Sequence, residues 1–142
     1  METLPDCKFN TKRVHAGYRP EEHHYASSVP IYQTAAFGLT NTEVAEQIVT
    51  GQATDRFDYS RDGDPTGQVL EKRIAALERG VGVVAVASGM LAISFTILNV
   101  TECGGQIIAP VNLYGSTLDE FRNFFSNYGI NFDDKFKKQF SR

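Results

Sequence analysis

From Pro65 onward the sequence alternates between two periodicities, and this alternation constrains the fold more than any other feature. Leu70, Ile74 and Leu77 fall at i, i+4 and i+7, while Glu71, Lys72, Arg73 and Glu78 take the other face, which predicts a helix. Asp64-Pro65-Thr66 opens it, because proline is pre-set for the first helical turn, and Gly80 closes it. The run "VVAVA", Val83 to Ala87, is short, β-branched and wholly apolar, as expected for a strand covered on both faces. Ser88-Gly89-Met90 then turns it into a second helix, Met90 to about Val100, whose Leu91, Phe95 and Leu98 recur at helical spacing. The Gly104-Gly105 break leads to a second strand, "QIIAP", a third helix from about Ser116 to Tyr128, and the start of a third strand at "GINF". Strand, helix, strand, helix, strand predicts an α/β fold with a parallel sheet and right-handed crossovers.

The first part of the chain follows another rule. "HAGYRPEEHHYASSVPIYQTAAF" is irregular and polar, and Pro20 and Pro30 prevent a long helix. Only "TNTEVAEQIVTG" reads as a short helix, with Thr40 or Thr42 as cap and Gly51 as stop. The expected organisation is an N-terminal arm, residues 1–56, which cannot build its own core and packs on another subunit, followed by an α/β domain, residues 57–142. With 142 residues, 42% hydrophobic and 22% charged, the chain is long and apolar enough for one globular domain. The ending "DDKFKKQFSR" is basic and does not continue an apolar strand, so it reads as a tail or as a chain that stops early.

Charge and cysteine usage exclude several classes. A net charge of -3 argues against a nucleic-acid or anionic-membrane surface, which needs a concentrated Lys/Arg face, and leaves small acidic metabolites in a local pocket open. Cys7 and Cys103 fit no CxxC spacing and read as free thiols in a reducing compartment. The N-terminus lacks the apolar region of a secretory leader and no later run is long enough to span a bilayer, so a cytoplasmic location is expected. Without a secretory route, the glycosylation triplet Asn99-Val100-Thr101 is a chance match. His23 and His24 read as solvated arm residues rather than a metal site, since adjacent side chains diverge and no third ligand is suitably spaced.

The turn Tyr59-Ser60-Arg61 sits among Asp55, Asp58, Asp62 and Asp64, so it serves either a metal or an anion. Asp58-x-Ser60-x-Asp62-Gly63 imitates the opening of an EF-hand loop, but Val69 stands where the bidentate Glu belongs, and Arg61 inside the loop opposes a cation. The anion reading has independent support. Ser88-Gly89-Met90 lies where a parallel strand is expected to end and a helix to begin. The Gly89 and Met90 N–H groups, with the helix dipole behind them, form a phosphate site there, and Ser88 caps the helix. The next strand ends in "PVNLYGS", on the same sheet edge, where open α/β sheets bind ligands, and the Tyr114 ring is suited to stack on a flat heteroaromatic group. Cradle, stacking Tyr and Tyr-x-Arg loop together describe a phosphorylated aromatic cofactor.

The motifs "VHAGYRP", "VPIYQTAAF", "DYSRDGDPTGQVLEKRIAALE", "VAVASGMLAI" and "LYGST", in this order from about Thr11 to Ile130, resemble the N-terminal part of the Cys/Met-metabolism (transsulfuration) family of pyridoxal-phosphate (PLP) enzymes. The opening "VHAG…VPIYQT" is most similar to the O-acetylhomoserine sulfhydrylases. The resemblance implies a truncated PLP-binding domain of the fold-type I, aminotransferase-like class. By that resemblance Gly89 and Met90 hold the cofactor phosphate, with Ser88 beside them, and Tyr114 stacks on the ring with a possible part in catalysis. Tyr59 and Arg61 reach the phosphate of a neighbouring subunit's cofactor, which implies a homo-oligomer with a shared site. Three positions depart from the family pattern: Asp64 stands in place of the usual Asn, Ser116 in place of Gly, and Gly105 where an Asp commonly follows glycine. The Schiff-base lysine, the carboxylate against the pyridine nitrogen and the arginine for the substrate carboxylate find no match among residues 1–142. None of the lysines, at 8, 12, 72, 135, 137 and 138, fits the catalytic motif.

The expectation is an N-terminal part of a PLP enzyme of sulfur amino-acid metabolism, acting in its complete form on a small amino acid, holding cofactor phosphate and ring and inactive alone. The alternative is a non-catalytic binding or assembly module that pairs with a full-length paralogue. A nucleotide-binding α/β domain is disfavoured, since the chain has neither GxGxxG nor a Walker loop.

Overall fold

A computed structural model describes residues 7–53, 56–101, 104–110 and 112–133. The chain forms two compact units, Met1–Ala85 and Val86–Arg142.

In the first unit the organising element is the helix Pro65–Glu78. Its start follows the sequence: Asp64 accepts hydrogen bonds from the Thr66 and Gly67 N–H groups at 2.9 and 3.0 Å, and Pro65 occupies the first turn, where no N–H is needed. Its end departs from expectation, because Arg79 rather than Gly80 takes the left-handed conformation, at φ 57°, while the Gly80 N–H donates to the Ala75 carbonyl. The buried face departs as well. Val69 and Ala75 are buried, whereas Leu70 and Ile74 of the expected stripe are exposed.

The reason is that the arm covers the other side of this helix. A short helix, Phe9–His15, leads to Ala16, which is buried and whose carbonyl accepts from Arg73 Nε at 2.9 Å. Gly17 follows at φ +76°, so close to the helix that a Cβ would lie 2.8 Å from Val69 O and from Lys72 Cβ. Only glycine meets both conditions. The turn Pro20–His23 then folds the arm on itself: the His23 ring stacks on Tyr18 with centroids 5.1 Å apart, and its Nδ1 lies 3.0 Å from Tyr32 Oη. His23 is therefore buried between two tyrosines and not solvated as expected; His24, in the left-handed region, is exposed. The expected helix of the arm is present as Thr42–Val49, capped by Asn41, whose Oδ1 accepts from Val44 N, rather than by Thr40 or Thr42. Numbered in chain order, Phe9–His15 is α1, Thr42–Val49 is α2 and Pro65–Glu78 is α3.

Two sets of bonds fasten the arm further. Thr66 Oγ1 donates to the Pro30 carbonyl and accepts from the Tyr32 N–H. Ala36 and Tyr59 form an antiparallel bridge, flanked by Phe37 N to Asp58 O and Ser60 N to Ala35 O at 2.8 and 2.9 Å. The run Val83–Ala87, expected as a strand, pairs with none among the described residues, and Val84 is exposed. Apolar β-branched sequence favours extension, but a strand exists only when a neighbour takes up its N–H and C=O groups.

The second unit contains helix α4, Gly89–Thr101, strand β1, Gly105–Ile108, helix α5, Gly115–Asp119, and strand β2, Ile130–Asp133. The strands pair in parallel, Gly105 against Ile130 through Ile108 against Asp133, as the alternation predicts for their part of the sheet. Gly105, one of the departures noted above, has φ +118°, a conformation open to glycine and strained for aspartate. The expected helix Ser116–Tyr128 is helical throughout but changes pitch: α5 widens into a π-helical segment, Glu120–Phe124, and tightens into a 3₁₀ turn, Phe125–Tyr128. Phe121, Phe125 and Ile130 form the core, lined by Ile93, Ile97 and Leu98 of α4 and Ile107 and Phe132 of the strands. Among the described residues no helix is long and apolar enough to cross a membrane.

Candidate functional site

The start of α4 presents backbone donors. Ser88 Oγ accepts from the Leu91 N–H at 3.2 Å and the Ser88 carbonyl from the Ala92 N–H at 3.1 Å. These bonds satisfy the third and fourth positions of the helix and leave the Gly89 and Met90 N–H groups with no intrahelical acceptor. Apart from its chain neighbours and the helix's own backbone, no heavy atom among the described residues lies within 4 Å of the point where a Cβ on Gly89 would stand, so a ligand can approach the backbone closely on that side. With 13 residues of aligned peptides behind it, this start favours an anion.

Met90 is fixed from α5 and the turn after it. Thr117, buried, sets its hydroxyl 3.8 Å from Met90 Sδ, and Ser94 Oγ lies 2.9 Å from the Met90 carbonyl and also bonds Glu120 Oε1. Sequence reading missed Ser94, Thr117 and Glu120, whose separations of 26 and 27 residues from their partners leave no local signal. Tyr114 precedes α5, its carbonyl accepting from the Leu118 N–H, and the residue is 73% exposed, which leaves its ring available for stacking. Ser116, at the second position of α5, is exposed.

Tyr59 and Arg61 belong to the first unit. Asp58 Oδ1 accepts from the Tyr59 N–H at 2.7 Å, and the Tyr59 carbonyl accepts from Asp62 and Gly63, which closes a tight turn. Arg61 lies over the Tyr59 ring with Cζ 5.0 Å from the centroid, and its Nε is 3.8 Å from Asp62 Oδ1. The Arg61 side chain is largely exposed and Tyr59 partly so, so the exposed ion pair contributes little and the planar fork stays open to another acceptor. Asp64 places its carboxylate on α3, where it does the capping work an asparagine would do. Lys8, Lys12 and Lys72 lie at α1 or on α3, the last donating to Gln68 Oε1; Asp55, Cys103, Lys135, Lys137 and Lys138 lie outside the described residues. Cys7 is a free thiol.

A family model described as Cys/Met metabolism PLP-dependent enzyme matches residues 10–140. The O-acetyl-L-homoserine sulfhydrylase of Leptospira meyeri is 37% identical over 130 residues, covering 91% of this chain and 29% of that protein. The L-methionine gamma-lyase of Pseudomonas putida is 35% identical, covering 86% of this chain and 30% of its own length. The crystal structure of a putative O-acetylhomoserine (thiol)-lyase from Campylobacter jejuni, which contains a pyridoxyl-lysine phosphate, superposes with a TM-score of 0.81 at 30% identity over 89% of this chain and 31% of that one. Cystathionine gamma-lyase from Lactobacillus plantarum gives 0.73 at 31% identity, over 89% of this chain and 30% of that one. The chain thus spans 29–31% of the length of these relatives.

Proposed function

The chain belongs to the Cys/Met-metabolism family of PLP-dependent enzymes, and we propose from its site residues that it carries the phosphate- and ring-binding part of a PLP site for sulfur amino-acid chemistry. Among the family's activities the O-acetylhomoserine sulfhydrylase kind is favoured by the names of its relatives, with the cystathionine enzymes and methionine lyases next. The observation that carries the reading is the start of α4, where the Ser88 bonds stop at Leu91 and Ala92, the Gly89 and Met90 N–H groups have no intrahelical acceptor, and Thr117 contacts the Met90 side chain.

In this reading the Gly89 and Met90 N–H groups and the α4 dipole bind the cofactor phosphate, and Tyr114 stacks on the ring. The cofactor, when bound, supplies the electron sink for elimination or replacement at Cβ or Cγ of an amino-acid substrate. Tyr59 and Arg61, exposed and preordered by their turn, reach the phosphate in a neighbouring copy, which makes the working form a homo-oligomer of the cytoplasm. The exposed apolar side chains of the arm, Tyr25 and Ile31 among them, favour such pairing and equally favour a second reading, an assembly module that joins a full-length paralogue.

Equilibrium dialysis of PLP against wild type and Arg61→Ala tests the first reading. The expected loss is about 1.5–3 kcal/mol of cofactor affinity, the scale of a charge-assisted hydrogen bond. Equal affinities would remove Arg61 from the site. Sedimentation with and without the paralogue, beside an assay of thiol incorporation, separates the two readings, since the module forms a mixed complex and adds no turnover.

A further inference from the structure

A carboxylate has been spent on α4 that the fold does not need. Glu120, at the first position of the π-helical segment, turns inward; its Oε1 meets Ser94 Oγ, and its Oε2 is buried with no hydrogen-bond partner among the described residues. An orphaned buried carboxylate oxygen destabilises a fold, and an apolar side chain of similar shape would pack there without that penalty. Its neighbours show what the group does. Ser94 Oγ also lies against the Met90 carbonyl, one turn earlier in α4; its single proton serves one acceptor at a time, so Glu120 draws it away from that carbonyl, on the peptide next to the open donors, and leaves the carbonyl to the helix's own N–H. Thr117, one turn before Glu120, reaches the Met90 side chain from the same helical stretch.

We propose that Glu120 is a positioning residue: acting through Ser94, it holds the first turn of α4 so that the Gly89 and Met90 N–H groups keep the separation and direction an anionic oxygen requires. It touches no ligand. The widening of the helix at Glu120–Phe124 brings a residue inward that regular helical spacing would place elsewhere, in keeping with the frequent use of π-turns at functional sites. The proposal rests on the reading of α4 as a phosphate cradle, but its first consequence, the order of that turn, is measurable without any cofactor.

The test compares the full chain with Glu120→Gln, Glu120→Leu and Ser94→Ala by amide hydrogen exchange, thermal unfolding and equilibrium dialysis of PLP. Glu120→Leu is expected to raise Tm by about 4 °C, by removing the orphaned oxygen, while exchange at Leu91 and Ser94 quickens and PLP affinity falls about tenfold. Glu120→Gln keeps an oxygen for Ser94 and is expected to restore most of the protection and affinity. A residue with a merely structural role would shift stability and affinity in the same direction. Unchanged exchange at Leu91 and Ser94 in both Glu120→Leu and Ser94→Ala would overturn the proposal. Quickened exchange in a chain whose wild type binds no PLP would support the positioning role and overturn the cofactor assignment instead.

Discussion

The two longest helices begin in opposite ways. α3, with 14 residues, starts on Asp64, whose carboxylate takes the Thr66 and Gly67 N–H groups, and on Pro65, which has no N–H to offer. α4, with 13 residues, starts on the neutral Ser88, whose side chain takes the Leu91 N–H and leaves the Gly89 and Met90 N–H groups with no intrahelical acceptor. Helices of nearly equal length produce nearly equal terminal fields, so the dipole alone does not make a site. The difference lies in whether the chain brings its own anion. The flanks do not follow this division: α3, covered by the arm at Ala16 and Gly17, leaves Leu70 and Ile74 exposed, and α4, packed on the core through Ile93, Ile97 and Leu98, leaves Phe95 and Val100 exposed.

The largest effect is expected where the covered helix meets the arm. Gly17→Ala adds a Cβ at φ +76° that would stand 2.8 Å from backbone. Left-handed strain and overpacking together are expected to destabilise the first unit by about 2–5 kcal/mol. Chemical denaturation checks this, and near-native stability would mean that α1 does not press on α3 as described. Next comes a change that gives the open start the closed start's own device. Ser88→Asp is expected to lower PLP affinity by about 1.5–3 kcal/mol through competition and like-charge repulsion, while α4 itself gains about 0.3–1 kcal/mol. Undiminished binding in a dialysis experiment would break the comparison. The smallest effects belong to α3: Asp64→Ala is expected to cost about 1 kcal/mol of stability, and Asp64→Asn no more than about 0.3 kcal/mol, since the amide oxygen caps equally well. Neither should alter PLP binding.

Both helix starts were legible in the sequence because capping is local: Asp64-Pro65 and Ser88-Gly89 announce themselves within three residues. The pairing of β1 with β2 was legible for a related reason, as two apolar runs separated by a helical stretch have few ways to meet. What failed was whatever another part of the chain decides. Leu70 and Ile74 carry the apolar spacing, yet the arm selects the face of Val69 and Ala75 because Gly17 and Ala16 are small enough to approach it. His23 reads as a solvated arm residue until the turn at Pro20 lays it between Tyr18 and Tyr32. The run at Val83–Ala87 states a strand's preference, but among the described residues no strand pairs with it, and the Ala85 N–H goes to Glu71 Oε1 instead. Within the candidate site, Gly89, Met90 and Tyr114 follow from the order of elements, whereas Ser94, Thr117 and Glu120 meet only through packing and a change of helical pitch.

The bridge between Ala36 and Tyr59 makes the intervening stretch a detour, since it leaves and rejoins the first unit at the same place. α2 lies on that detour and none of its residues is buried. The entropy of closing such a loop changes only with the logarithm of its length, by roughly 0.6 kcal/mol for each doubling. Insertions, deletions or a grafted peptide between Gly38 and Phe57 therefore leave the Tyr59 turn where it is. On loop-closure entropy alone, α2 is where the first unit tolerates a change of length, and an engineer has room to build there.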